Sequence, residues 1–461
     1  MSGGGAPSRL AVGDDTIVAL ATAPGRGAIA VVRLSGPDAF RIAERHIAPW
    51  PLSPRSVELC EFSDDSRRLD QAIVTTFVAP MSFTGDDVVE ISTHGGNVVP
   101  ASIVAALVSS GARQALPGEF TRRAMLNGKL DILQAEAIGD LIDARSRAMQ
   151  SVALSQLDGG LSRRLVALRD DLIHLEALIA YDIDFPEEDD GPIAPRRIEE
   201  AASRSVDALE ALLATAPVGE IIRDGAVIAI VGPPNAGKSS LFNALLGHSR
   251  AIVTELPGTT RDALEAVVDT GRWPLRLVDT AGLRETDDRI EKLGIEMSNR
   301  YLTAAHVVLA CAEDERGLRD TVAAVRALSG AAVIGVGTKS DLVSHSYQGT
   351  DLELYSWLAV SAELGRGLPE LIAEIEQSLA SSHGGPGGDL PVLTRTRHRQ
   401  AIALAVAELR LFQSGWKEER LPATVASVHL RTAAAALEEL VGSIDVDDVL
   451  DRVFSSFCVG K

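Results

Sequence analysis

The sequence predicts a multidomain chain: an N-terminal α/β domain, a helical domain, and an α/β domain with a doubly wound sheet inserted into the helical one. Three observations carry this. Residues 15–127 alternate short apolar runs with turn residues. From about residue 129 to 215, and again from about 394 to 461, the pattern is that of long amphipathic helices rich in Ala, Leu, Arg, Asp and Glu. Between them, residues 222–380 alternate strands and helices, as a doubly wound sheet does. Helical patterning on both sides of an α/β segment points to insertion, which domains with neighbouring termini tolerate. The expected boundaries are 1–127, 128–220, 221–380 and 381–461.

A chain of 461 residues has room for two to four domains. Hydrophobic content is 46% and charged content 23%, ordinary for a soluble globular protein. Formal net charge is −20, from 44 basic and 64 acidic residues. Such a chain is a poor unaided binder of nucleic acid, because phosphate contacts dominate that affinity. An RNA partner would meet a local basic patch or be held jointly with a more basic protein. Cys60, Cys311 and Cys458 are far apart, which fits a reducing compartment and excludes a zinc cluster of the usual spacing. Residues 1–14 are Gly/Ser-rich without an apolar core, so no signal peptide is expected there. No apolar run is long enough to span a membrane, and a cytoplasmic protein is expected.

Within the first domain, residues 29–34, 71–78 and 88–92 read as strands, and residues 98–109 as a helix. In the helical part, Asp184-Phe185-Pro186-Glu187-Glu188-Asp189-Asp190 breaks the pattern, and Pro192 and Pro195 mark a loop. Ser381-Ser382-His383-Gly384-Gly385-Pro386-Gly387-Gly388 reads as a linker. Cys311 sits in an apolar run and reads as core, and Cys60 as structural.

The inserted segment carries the chemistry. Gly232-Pro233-Pro234-Asn235-Ala236-Gly237-Lys238-Ser239-Ser240 is G-x-x-x-x-G-K-S, a phosphate loop, set between an apolar strand at 227–231 and a helical pattern at 241–246. Its glycines let the backbone wrap a phosphate chain, with amides at the helix N-terminus aimed at the anions. Lys238 would reach the β- and γ-phosphates and the Ser239 hydroxyl would bind Mg²⁺. Downstream, Thr254-Glu255-Leu256-Pro257-Gly258-Thr259-Thr260 offers a switch loop, with Thr260 completing the metal shell. Residues 275–278 form a strand that ends in Asp279-Thr280-Ala281-Gly282, the D-x-x-G element. A strand at 333–337 ends in Thr338-Lys339-Ser340-Asp341, where GTPases usually have N-K-x-D. A carboxylate there accepts from guanine N1–H and N2–H₂, donors that adenine lacks, so Asp341 argues for GTP. Ser361-Ala362-Glu363 fits the last base-contacting loop. Asp341 alone reads equally well as a solvated strand-end carboxylate; in this order and on strand ends, the elements together spell a Ras-like P-loop G domain.

Leu283 follows Gly282, where Ras-like proteins place a water-orienting Gln, so a leucine leaves that role to another group. The acidic stretch from Glu285 to Glu291 comes next, which on its own reads as a solvated loop face. Arg261 and Arg284 are possible arginine fingers; a monovalent cation held by Asn235 and oxygens of Thr254, Leu256 and Thr259 would supply the same charge.

Over nearly its whole length the sequence resembles the MnmE (TrmE) family of tRNA-modification GTPases. The likeness rests on Asp15-Thr16-Ile17-Val18-Ala19, Ala23-Pro24-Gly25-Arg26-Gly27, Ser82-Phe83-Thr84-Gly85-Asp86, His94-Gly95-Gly96, Pro117-Gly118-Glu119-Phe120-Thr121 and Asn127-Gly128-Lys129-Leu130-Asp131. Gln134-Ala135-Glu136, Pro257-Gly258-Thr259-Thr260-Arg261-Asp262 and the terminal Cys458-Val459-Gly460-Lys461 add to it. The resemblance implies a folate-binding N-terminal domain that forms a homodimer, with 5,10-methylenetetrahydrofolate as one-carbon donor. It implies a partner, the FAD- and NADH-using MnmG (GidA), with which a (carboxymethyl)aminomethyl group is built on C5 of the wobble uridine of certain tRNAs. It places folate contacts on Arg33, Glu90, Lys129 and Lys461, and K⁺ ligands on Asn235, Thr254, Leu256 and Thr259. It places Mg²⁺ ligands on Ser239 and Thr260, the catalytic acid on Glu291, and a thiol of interest at Cys458. Three residues depart from the family pattern. Thr338 replaces Asn, which removes an amide that ties the base loop to the phosphate loop and implies weaker guanine binding. Glu363 replaces Lys or Arg, and Pro257 replaces a small residue in the K⁺ loop. The alternatives are a ribosome-assembly GTPase of the Era or Der type, which would carry a basic module or a second G domain, and a GTP-gated structural switch whose folate site only holds the dimer.

Overall fold

The computed structural model describes residues 15–65, 67–184, 195–248, 264–279, 300–343, 352–384, 391–417, 423–442 and 460. The chain divides into two compact units, Met1–Gly139 with Val441–Lys461, and Asp140–Leu440.

The first unit holds β1 (Ile17–Leu20), β2 (Ile29–Ser35), α1 (Ala39–Ala43), β3 (Ile47–Ala48), β4 (Glu58–Asp64), β5 (Arg67–Phe77), β6 (Val88–His94), α2 (Val98–Ser109), β7 (Arg113–Gln114) and α3 (Glu119–Leu126). Its seven strands run in the order β3-β4-β5-β6-β2-β1-β7. Side chains alternate across the sheet as the two-residue period demands. Val32, Leu34, Val89 and Ile91 point into a core with Ile103 and Leu107 of α2. The residues between them, Arg33 and Glu90, stand on the other face, directly opposite one another in the β2–β6 register. The predicted strand at 71–78 begins earlier, at Arg67, because β5 keeps pairing with β4 past a register shift at Phe62/Ser63.

An ionic network fixes α3 to the start of the sheet. Arg123, 2% exposed, donates to Asp15 Oδ1 at 2.5 Å and Glu119 Oε1 at 3.1 Å. Arg113 donates to Asp15 at 2.7 Å and Glu119 at 2.6 Å. Each carboxylate meets both guanidiniums, the arrangement that buried charge requires. At the other end of the sequence, Gly460 is buried against β1. It has φ +101°, and a Cβ on it would lie 2.2 Å from the Leu20 carbonyl oxygen.

α4 (Ile132–Ile142) runs from the first unit into the second, which continues with α5 (Arg147–Leu157), α6 (Gly160–Asp184), α7 (Pro195–Leu213), α8 (Ala216–Asp224), β8 (Ala226–Val231), α9 (Lys238–His248), β9 (Leu264–Asp269), β10 (Pro274–Asp279), β11 (Val307–Ala312), α10 (Glu315–Arg326), β12 (Ala332–Gly337), β13 (Ser356–Ala359), α11 (Leu368–His383), α12 (Thr396–Lys417) and α13 (Ala423–Val441). Its six strands run β13-β12-β11-β8-β10-β9, parallel except for the β9–β10 pair. Every residue of β8 and β11 is buried, as parallel strands covered on both faces must be. One face packs under α8, α9 and α11, the other under α10, so the sheet is doubly wound.

The amphipathic helices and this sheet share packing. Ala148, Met149 and Val152 of α5 lie against the core cluster of the sheet, and Asp269 Oδ2 accepts the Arg147 N–H at 3.2 Å. The extended stretch 391–395 is strapped down by Gln156 Nε2 to the Val392 carbonyl at 3.0 Å and Arg395 to Asp140 at 2.6 Å. The predicted linker does not begin at Ser381. α11 runs on to His383 and stops at Gly384, φ +79°. Within that last turn the Ser381 hydroxyl donates back to the Gln377 carbonyl at 2.8 Å, and the Gly384 N–H still donates to the Ala380 carbonyl at 3.0 Å.

Candidate functional site

The phosphate loop leaves β8 and enters α9 at Lys238. Gly232 crosses so close to β11 that a Cβ would sit 2.2 Å from the Cys311 carbonyl oxygen. Asn235 and Gly237 are left-handed, φ +62° and +76°, with Ala236 between them. Such alternation turns successive N–H groups into one concavity, an anion nest. Lys238, 8% exposed, lies across the loop with Nζ donating to the Pro233 carbonyl at 2.7 Å. The Ser239 hydroxyl donates to Asp279 Oδ2 at 2.8 Å, and Asp279 is fully buried at the end of β10. A hydroxyl and a carboxylate at one point are hard oxygen donors of the kind Mg²⁺ takes, so these residues fit that ion. Ser240 is exposed in the first turn of α9.

Two more strand ends converge on this loop. Just past the end of β12 stands Thr338, 4% exposed, whose hydroxyl donates to the Ala236 carbonyl at 2.8 Å. The expected gap is therefore closed: the hydroxyl of Thr338 supplies the tie that the missing amide would have made. Lys339, φ +55°, follows, with Nζ 2.5 Å from Glu313 Oε1. The Ser340 N–H donates to the Val360 carbonyl at 3.2 Å, which holds the loop beside the end of β13. Asp341 is exposed, and its Oδ1 accepts from the buried Ser361 hydroxyl at 2.7 Å. That hydrogen bond, with one from its own backbone, holds the Asp341 carboxyl below the usual carboxylate range. The acceptor that guanine would meet is thus ionised and aimed. Ala362 and the exposed Glu363 sit in the turn after Ser361.

The arrangement is sufficient to compare with known proteins. A family model for the MnmE helical domain matches residues 132–458, and one for the N-terminus of the GTP-binding protein TrmE matches residues 16–129. The tRNA modification GTPase MnmE of Moorella thermoacetica is 40% identical over 97% of this chain and 100% of its own length. Those of Heliobacterium modesticaldum, 40% identical, and Neisseria meningitidis serogroup C strain 053442, 41% identical, each cover 97% of this chain and 99% of their own length. The chain belongs to the MnmE family.

Three of the four residues expected to hold folate, Arg33, Glu90 and Lys129, lie in the first unit. Arg33 donates through Nε to Glu90 Oε1 at 2.9 Å, so two of the expected folate contacts also meet each other. The Arg33 guanidinium lies 5.3 Å from the Phe83 ring centre and 5.6 Å from that of Phe120. Lys129 Nζ donates to the Pro80 carbonyl at 3.0 Å, on the loop that carries Phe83. Asp86, on the same loop, is bonded by Asn127 Nδ2 at 3.2 Å; burial pushes its pKa up despite the nearby Arg123. An aromatic face, a guanidinium, a carboxylate and an ammonium around one loop fit a flat polar heterocycle with an acidic tail. Phe83, Phe120 and Glu313 escaped sequence reasoning as site residues. Phe83 and Phe120 stood inside motifs already singled out, which was the available signal; Glu313 gave none.

Thr254, Glu255, Leu256, Pro257, Gly258, Thr259, Thr260, Thr280, Ala281, Gly282, Glu291, Cys458 and Lys461 lie outside the described residues. Of the expected K⁺ ligands, only Asn235 is described. Among the described residues no helix is long and apolar enough to cross a membrane.

Proposed function

We propose that this MnmE-family chain is a GTPase that acts in tRNA modification. The observation that carries the reading is Asp341, aimed by Ser361 on a loop tied through Thr338 to a complete phosphate loop. The domains run 1–127, 128–220, 221–380 and 381–461, with the third inserted into the helical pair.

The residues divide the work as follows. The nest at 232–237 and Lys238 bind and orient the phosphates. Asp341 selects guanine, with Thr338, Lys339, Ser340 and Ser361-Ala362-Glu363 around the base. Ser239 and Thr260 hold Mg²⁺, with Asp279 behind Ser239; the bound ion neutralises charge on the phosphate oxygens. Asn235, Thr254, Leu256 and Thr259 hold K⁺ in the place an arginine finger would take. Glu291 orients water, since Leu283 cannot. In the first unit, Arg33, Glu90, Lys129 and Lys461 hold a tetrahydrofolate whose methylene supplies the one-carbon unit. Cys458 supplies a thiol to the modification chemistry. The chain works in the cytoplasm as a homodimer with an MnmG-type FAD protein. That partner carries much of the basic tRNA surface that a net charge of −20 denies this chain. The product is a (carboxymethyl)aminomethyl group on C5 of the wobble uridine.

The test is mass analysis of wobble nucleosides in tRNA from a strain lacking the family protein, with and without this chain, beside GTP hydrolysis in KCl and in NaCl. We expect the modified uridine to return and hydrolysis to be many-fold faster in KCl. No return of the nucleoside would sink the tRNA role, and equal rates in both salts would sink the potassium role.

A further inference from the structure

The motif His94-Gly95-Gly96 takes no part in the sites so far described. Along β6, Val89, Ile91 and Thr93 are buried, so Glu90, Ser92 and His94 fall on the opposite side of the strand. His94 therefore shares a side of the sheet with the Arg33–Glu90 pair, about 14 Å further along. Its side chain is 74% exposed, yet the ring is held. Asp70, 9% exposed, accepts from the His94 N–H through Oδ2 at 2.8 Å and from ring Nδ1 through Oδ1 at 2.7 Å. The Gln71 N–H adds a bond to Oδ1 at 2.8 Å. Burial works to push the Asp70 pKa up, but these N–H groups outweigh it and hold the carboxyl below the usual carboxylate range. An ionised carboxylate only accepts, so Nδ1 carries the proton and Nε2 keeps its lone pair. The backbone behind the ring cannot yield. The Gly95 N–H donates to the Ala28 carbonyl at 3.0 Å, and a Cβ on Gly95 would lie 2.2 Å from the Gly27 carbonyl oxygen. Among the described residues, Asp70 is the charged group that meets this imidazole, and Nε2 has no partner. Arg26, on the loop that Gly95 packs against, is exposed, and Glu61 and Arg68 of the neighbouring strands pair with each other at 3.6 Å.

Packing does not account for the ring, because an exposed side chain buries little apolar surface. A carboxylate-oriented imidazole with a free Nε2 is suited to accept a proton from a fixed direction. We propose that His94 Nε2 is the proton acceptor for a primary amine on this face of the N-terminal sheet, with Asp70 as its positioning residue. The inference rests on the tRNA-modification reading above and deepens it. The aminomethyl nitrogen of that product enters as an amine, and aliphatic amines hold an extra proton up to about pH 10. An ammonium nitrogen has no lone pair and cannot bond to carbon. At His94 one N–H bond of the ammonium breaks, its electron pair stays on the amine nitrogen, and an Nε2–H bond forms. Asp70 faces the imidazolium across Nδ1 and stabilises it. The exposed edge of the ring then hands the proton to water.

The full-length chain, assembled with an MnmG-type FAD protein and tRNA, tests this with glycine, the amine that carries a carboxymethyl group. His94→Ala should lower kcat for wobble-uridine modification about 100-fold, the lower end of what a positioned base contributes. KM for tRNA, tetrahydrofolate affinity and GTP hydrolysis should stay within about twofold of wild type. Added imidazole should restore part of the lost rate, because removing an exposed ring leaves a space open to solvent. If His94→Ala does not fold, His94→Ser leaves the same space. Nitrogen NMR of the wild-type ring, without any ligand, should show the proton on Nδ1. A wild-type kcat in the variants, a loss that imidazole does not relieve, or a proton found on Nε2 overturns the proposal. So does a raised KM for tRNA at constant kcat, which would make His94 a phosphate contact. Weakened tetrahydrofolate binding would make it a folate contact and overturns the proposal as well. A wild-type assembly that forms no modified uridine is a different failure, that of the tRNA reading itself.

Discussion

A methyl group on Gly232 has nowhere to go. The built Cβ lies 2.2 Å from a backbone oxygen of β11, and strand backbone cannot swing aside as a flexible side chain would. Gly232→Ala should therefore destabilise the second unit by about 1–3 kcal/mol and abolish GTP binding. Urea denaturation and nucleotide titration check this, and near-wild-type values in both would refute the close approach. This residue was legible in the sequence, because the phosphate loop announces its glycines by spacing. Asp341 was legible by its place at a strand end. The hydroxyl of Thr338 was not: the sequence shows an absent amide, and only the packed loops show an oxygen within reach of Ala236. Phe83 and Phe120 were equally hidden as neighbours of Arg33, because they come from a loop and a helix 37 positions apart in sequence.

At the scale of elements, β11 and α11 meet through two histidines. His306, just before β11, accepts the Val227 N–H through Nδ1 at 3.0 Å, and its ring stands edge-on to His383 at 5.6 Å, in the last turn of α11. Burial pushes both pKa values down, and for His306 the neighbouring His383 adds to it. An imidazolium has no lone pair at Nδ1, so protonation would turn an acceptor into a donor facing a donor. The unfolded chain takes up these protons near pH 6.5 while the folded chain still refuses them. Stability from the pair is thus complete above about pH 6.5 and falls as the pH drops below it. Urea midpoints between pH 7.5 and 5.5 should decline, and His306→Gln should decline less steeply. A parallel decline in both proteins would remove His306 as the cause. Periodicity found the helix at 98–109 and the strands at 29–34 and 333–337 to within a residue or so. It missed the end of α11, because a serine inside a helix looks like a linker serine until its hydroxyl bonds back one turn.

At the scale of the whole molecule, the last residues belong to the unit that the first residues build. Gly460 is the described contact: φ +101°, buried, and within 2.2 Å of the Leu20 oxygen by its built Cβ. Gly460→Ala should push the tail off β1 and, since Lys461 is the next residue, weaken tetrahydrofolate binding about tenfold or more, with kcat for GTP unchanged. Folate titration beside GTP hydrolysis reads both, and an unchanged folate affinity would part the tail from that site. The order of elements, helices before and after an α/β segment, was legible from patterning alone. The place of Gly460 beside β1 was not, because nothing in the residues around it says which surface a lone glycine will meet.

That placement has a consequence for how the chain is made. The strands of the first unit leave the ribosome early, while Gly460 waits behind the whole of Asp140–Leu440. At ordinary translation speeds the delay is on the order of 15 to 60 s. Throughout it Leu20 lacks the close approach of Gly460, although β2 and β7 already flank β1. Synthesis itself thus separates Leu20 from Gly460, whose contact forms only after Asp140–Leu440 has emerged.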